Sequence, residues 1–184
     1  MIQNKSDLVL FLESDKIALD RKRMRPSIND EIWRYQIALR KCEYFQNCSN
    51  NMFMKIQGCV WRIIKHHLGV KCGFSIPNNV IGPGLCLAHI GPIIISPYAK
   101  IGENCRIHVG VNIGADARNS RCAPQIGNRV YIGPGAKIFG DILIADEIAV
   151  GANAVVTKSF EDPGVSIAGV PAKIINHNGV QGIL

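Results

Sequence analysis

Two histidines stand out by where they fall in the chain. His89 lies in L-A-H-I-G-P-I-I, where two extra residues interrupt an otherwise regular run of short aliphatic repeats. A neutral imidazole accepts a proton near pH 7. A positioned base of this kind contributes roughly 10²–10⁴-fold to a proton transfer. His89 is therefore a candidate catalytic base, with a structural corner histidine as the competing reading. His108 falls one turn of the repeat later, so it should lie on the same side as His89, one layer on. It could bind an acceptor or tune His89 electrostatically; a wall residue at a subunit interface is the open alternative. A second interruption, A-D-A-R-N-S-R-C-A-P-Q between Gly114 and Ile126, leaves the repeat and returns. Its Arg118 and Arg121 suit acidic partners, and a solvated excursion is the alternative.

The elements that must position these groups follow from a period of six. Aliphatic residues recur at Ile81, Leu87, Ile95, Ile101, Ile107 and Ile113, and again at Ile126, Ile132, Ile138, Ile144, Val150 and Val156. The next residue is often small, as at Gly82, Ala88, Gly102, Gly133 and Gly151. A helix needs apolar spacing near 3.6 and a half-buried strand needs alternation. A period of six fits neither. It fits a chain that turns after each short strand and winds into a three-sided coil of about 18 residues, with coils stacked about 4.8 Å apart. The twelve repeats make four coils, enough for a continuous core. The expected fold is mainly β, a parallel β-helix preceded by a small α-helical domain.

Composition divides the 184 residues near Gly73. Residues 1–73 hold 13 of the 21 Lys and Arg but only three of the 18 glycines. This part reads as helices: Ser6 to about Leu19, a second capped by Asn29 and running to about Phe45, and a third over Met52–Leu68. The third has Ile56, Val60, Ile63 and Ile64 as its apolar stripe. The organisation expected is a helical domain over 1–73, a β-helix over 74–161 with a loop at 114–125, and a tail over 162–184. The basic cluster Arg21, Lys22, Arg23 and Arg25 falls between helices and reads mainly as a solvated loop. No nucleic-acid-binding module accompanies it. The seven cysteines are scattered and never spaced C-x-x-C, which suits reduced thiols rather than a disulfide framework or a zinc site. No apolar run approaches the roughly 20 residues that span a bilayer. The acidic N-terminal stretch does not suit a secretory signal. The expectation is a cytoplasmic protein with no transmembrane segment.

The hexapeptides, together with I-G-P-G-A-K-I-F-G-D (132–141), G-A-N-A-V-V-T-K (151–158) and A-G-V-P-A-K-I-I (168–175), resemble the left-handed β-helix acyltransferases. Among these the chain looks most like serine acetyltransferases, and is closest to the short forms of surface-polysaccharide synthesis. The resemblance implies left-handed coils, a homotrimer or dimer of trimers, and acetyl-CoA as co-substrate with no metal. It implies that His89 deprotonates an acceptor hydroxyl for direct attack on the thioester. It places Pro134, Ala152, Thr157, Lys158 and Lys173 along the CoA groove, and it lays the loop of Arg118 and Arg121 over the active site. Plain wall packing is the alternative for Pro134 and Ala152, and exposed surface charge for the two lysines.

Three departures bear on the acceptor. Ala88 precedes His89 where serine acetyltransferases usually carry Asp. Phe74 stands fifteen residues before His89, where the histidine-orienting aspartate would fall. Arg121, Cys122, Ala123 and Pro124 replace an R-H-P turn. A serine ammonium then lacks an obvious partner, so the residues favour a sugar hydroxyl over free serine. A γ-type carbonic anhydrase on the same coil needs three histidine ligands, and only His89 and His108 lie in the repeats. A silent scaffold is disfavoured by the histidine insertion and the CoA-type ending.

Overall fold

The computed structural model describes all 184 residues. Three helices open the chain: α1 (Lys5–Ala18), α2 (Glu31–Cys48) and α3 (Met52–Cys72). Each starts at a short polar side chain that accepts a backbone N–H bond: Asn4 from Asp7, Asp30 from Trp33, and Asn51 from Met54. The first two caps lie at Asn4 and Asp30 rather than at the expected Ser6 and Asn29. The third helix runs one turn beyond Leu68 and stops at Gly73, whose φ of 77° is the left-handed geometry that glycine tolerates.

Fourteen short strands follow. Three parallel sheets form the faces of a prism. One contains β1 (Phe74–Ser75), β3 (Ile93–Ile95), β6 (Asn112–Gly114), β9 (Lys137–Phe139) and β12 (Val155–Val156). The second contains β4 (Lys100–Ile101), β7 (Gln125–Ile126) and β10 (Leu143–Ile144). The third contains β2 (Cys86–Leu87), β5 (Arg106–Ile107), β8 (Tyr131–Ile132), β11 (Ala149–Val150), β13 (Ser166–Ala168) and the antiparallel β14 (Lys173–Asn176).

The register shows what the period of six does. Leu87, Ile107, Ile132, Val150 and Ile167 pair in one column. Ile95, Ile113, Ile138 and Val156 form a second. Ile81, Ile101, Ile126 and Ile144 form the third, which Phe160 continues. All twelve repeat residues are buried and belong to a single core. Three sides of two or three residues each cannot bury a helical stripe. They can stack one branched side chain per side along the axis, and the ladders between coils satisfy the backbone. The fold is the left-handed parallel β-helix with a helical N-terminal part.

The first coil has no coil before it, so its edge needs other partners. The helices supply them. Asp15 accepts from the Leu85 N–H, Gln36 accepts from Leu87 and donates to the Leu85 carbonyl, and Glu43 accepts from Asn79. Arg40, fully buried, donates to the Ile81 and Gly82 carbonyls at 2.9 and 2.7 Å and to Asp15 and Glu43.

One expected face is reversed. Of the stripe Ile56, Val60, Ile63 and Ile64, the first three point outward and Ile64 alone packs against the core, beside Trp61; α3 buries Leu68, Gly69 and Cys72. The helix is apolar on both sides, and periodicity alone does not say which side meets the prism.

Candidate active site

Corner residues of successive coils stack because the strands before them are in register. One residue beyond the third sheet's aliphatic column stand Ala88, His108, Gly133 and Gly151. Two residues beyond stand His89, Val109, Pro134 and Ala152. At about 4.8 Å per layer, His89 and Ala152 lie roughly 14 Å apart along one edge. Both candidate histidines and two of the five candidate cofactor residues therefore share a single corner.

At the upper end of this edge the His89 and His108 rings are 5.7 Å apart, and His108 is 5.0 Å from the Tyr131 ring. His89 is exposed at the corner, as expected of a group that must reach a substrate. His108 is half-buried, and its Nε2 is shielded from solvent with no hydrogen-bond partner. Burial, followed by the neighbouring Arg106 and His89, pushes its pKa down, so it is held neutral at pH 7. A neutral imidazole has one acceptor nitrogen and one donor N–H. The stack offers polar contacts beside His89 without His108 adding a charge of its own.

Below the histidines the corner is stripped of bulk. A Cβ at Gly133 would lie 2.8 Å from the Val150 carbonyl oxygen and 2.9 Å from the Ala152 nitrogen. Only glycine fits there, which leaves a smooth wall beside Pro134 and Ala152, both exposed. Lys173 pairs with Ala168 on the last strand of the same face, and its side chain is exposed.

Thr157 and Lys158 sit on a different corner, after β12, two layers below Gly114, where the chain leaves the coil. The Lys158 ammonium rests 5.4 Å from the centre of the Phe160 ring. The excursion after Gly114 folds on itself, with the Asp116 N–H donating to the Cys122 carbonyl. Arg118 is exposed and paired with Asp116 at 3.4 Å, and Arg121 is exposed. Within one chain these four residues belong to the neighbouring corner and are not gathered around His89.

The two positions that lack the acidic residues are structurally explained. Phe74 is buried edge-on against Tyr35, ring centres 5.0 Å apart, and pairs with Ile93. Ala88 donates its N–H to the Ile107 carbonyl at 3.0 Å. Neither place offers a carboxylate to His89. Tyr131 was not singled out by sequence reasoning. Its register with Arg106, next to His108, is the signal that could have found it.

The prism with its histidine-bearing corner is a hexapeptide-repeat β-helix. No protein-family model matches the sequence. Serine acetyltransferase of Synechococcus elongatus is 30% identical over 122 residues, covering 65% of this chain and 50% of that protein. That of Helicobacter pylori strain J99 is 36% identical over 100 residues, covering 54% and 58%. Among solved structures, serine acetyltransferase of Brucella abortus strain S19 in complex with coenzyme A superposes with a TM-score of 0.72 and 25% identity, over 95% of this chain and 70% of that one. The soybean serine acetyltransferase apoenzyme gives 0.72 and 23% identity, over 93% and 70%. By sequence and by fold the chain is serine acetyltransferase-like. It spans about half the length of the curated relatives it matches.

Proposed function

We propose that this chain is an acetyl-CoA-dependent O-acetyltransferase with His89 as its general base. The observation that carries this is the shared corner: an exposed imidazole heads an edge whose lower layers, Gly133–Pro134 and Gly151–Ala152, are smooth enough for an extended cofactor arm. A coenzyme A complex of a relative with the same fold supports the choice of co-substrate. Acetyl-CoA would lie along Pro134 and Ala152, with Lys173 as a phosphate partner acting as a point charge. Thr157, Lys158, Arg118 and Arg121 would complete the groove from a neighbouring subunit's corner, in a homotrimer or dimer of trimers.

The reaction is a direct transfer. An imidazole nitrogen of His89 takes the acceptor's hydroxyl proton as the oxygen attacks the thioester carbonyl. The carbon–sulfur bond breaks, and the departing thiolate regains a proton from the imidazolium. His108, held neutral, would bind the acceptor or hold the ring of His89 in place.

Serine is the acceptor to which the relatives' names point, and the comparisons weigh toward it against the preference drawn from the residues alone. A sugar hydroxyl is the second reading. The side chains of Phe74 and Ala88 favour it, because no carboxylate stands at either place to meet a serine ammonium. Thiol release from acetyl-CoA, measured with serine and with a panel of sugars and nucleotide sugars, separates the two. His89→Ala should lower turnover with the best acceptor by roughly 10²–10⁴-fold. Near-normal turnover in that variant would refute the assignment.

A further inference from the structure

The outward face of α3 has no partner within the chain. Met52, Phe53, Ile56, Val60, Ile63 and Val70 are between 49% and 72% exposed. Met52, Ile56, Val60, Ile63 and Val70 recur at spacings of three, four and seven, which places them on one side of the helix. From Met52 to Ile63 that strip is continuous and about 17 Å long at roughly 1.5 Å per residue; the exposed His66 and His67 separate it from Val70. Scattered apolar residues on a surface need no explanation, whereas a continuous strip of this length marks a contact site.

Charge says what the contact is with. The helix carries Lys55, Arg62, Lys65, Lys71, His66 and His67 and no acidic residue over its 21 positions. Lys71 is already paired with Glu31. Lys55, Arg62 and His66, spaced seven and four apart, form a row along one edge of the apolar strip. Beside that row, Arg62, Lys65 and His66 line a groove of about 600 Å³ against the first coil. Its other walls include Ile76, Val70 and Ile94, and no carboxylate lines it.

We infer that α3 is a docking face for an anionic lipid bilayer, its apolar strip entering the headgroup–acyl boundary while Lys55, Arg62 and His66 meet lipid phosphates; Lys65 is turned inward and bonded to Asn78. A helix with an apolar face and a cationic edge lies in the plane of such an interface. No helix of the chain is long and apolar enough to cross a membrane, so the contact is with the surface. A second copy of α3 is the poorer occupant. Antiparallel pairing of two such helices sets one row of cations beside the other, with no acidic residue on either helix to offset the repulsion. The inference is independent of the acyl-transfer reading.

The test uses the full chain and sedimentation with vesicles of equal parts phosphatidylglycerol and phosphatidylcholine, against vesicles of phosphatidylcholine alone. Binding to the anionic vesicles is expected, weakened by added salt, with little binding to the neutral ones. The double variant Lys55→Gln, Arg62→Gln should lower the affinity roughly thirtyfold, since each cation near an anionic surface contributes about fivefold. Ile56→Glu with Ile63→Glu should abolish it. All four side chains are exposed, so a thermal melt and thiol release should match the parent protein. Equal binding to both vesicles, or to neither, overturns the inference. So does an assembly that forms without lipid and dissociates in the Ile56→Glu, Ile63→Glu variant, which would show a second copy on this face.

Discussion

His108 is the residue whose setting says most about the site, because its Nε2 is buried without a partner while His89 stands free. Its depressed pKa has a consequence for stability. The unfolded chain binds a proton at the ordinary histidine value near 6.5, whereas the folded chain resists protonation there until the pH is lower. The unfolded state thus holds more protons between those two values, and stability falls as pH is lowered through that window. The contribution is fully present above pH 6.5. Urea denaturation at pH 7 and at pH 5.5 should show a larger loss for the parent protein than for His108→Asn, which has no such proton to refuse. Equal losses would place His108 in solvent. The position of His89 was legible in the sequence, since a two-residue insertion in a regular period must bulge. Its stacking with His108 and Tyr131 was legible only in part, because the side a ring turns to depends on its neighbours in adjacent coils.

Among the elements, the helices act as a lid on the first coil. Arg40 holds this contact together: its five N–H groups meet Asp15 twice, Glu43, and the carbonyls of Ile81 and Gly82. A guanidinium that satisfies every donor in a buried setting offsets its own desolvation, but losing it strands two carboxylates. Arg40→Ala should destabilise the protein by about 3–5 kcal/mol, read from a urea melt. An effect below 1 kcal/mol would mean that water or a shifted helix takes the place of the guanidinium. The sequence reading found the three helices, but α1 is apolar on more than one side, with Val9, Leu10 and Ile17 exposed and Asp15 buried. That reading reversed α3, because both sides of that helix are apolar. It gave Arg40 no role, since nothing in a helix sequence shows which strand edge it will meet 41 residues on.

For the whole molecule, the coils turn distant stretches of chain into one continuous edge, so a cofactor along that edge touches residues far apart in sequence. Lys173→Ala should therefore weaken acetyl-CoA binding more than acceptor binding, with a raised acetyl-CoA KM and a nearly unchanged acceptor KM. An unaltered acetyl-CoA dissociation constant would remove Lys173 from the groove. The coil itself was determined by the sequence: branched residues every six positions have no other way to be buried together, and all twelve are buried on the prism axis. The histidine insertion and the small residues at the corners were equally explicit. Spacing alone put His108 on the side of His89; the tertiary structure decided how the coil resumes after the excursion at 114–125, and so which corner the later residues occupy. It separates Thr157, Lys158 and the loop of Arg118 and Arg121 from the edge of His89, and it seats the helices over the open end of the first coil. Periodicity sets what is buried within a turn, whereas placement between turns and between elements depends on register and on long-range hydrogen bonds that local spacing does not encode.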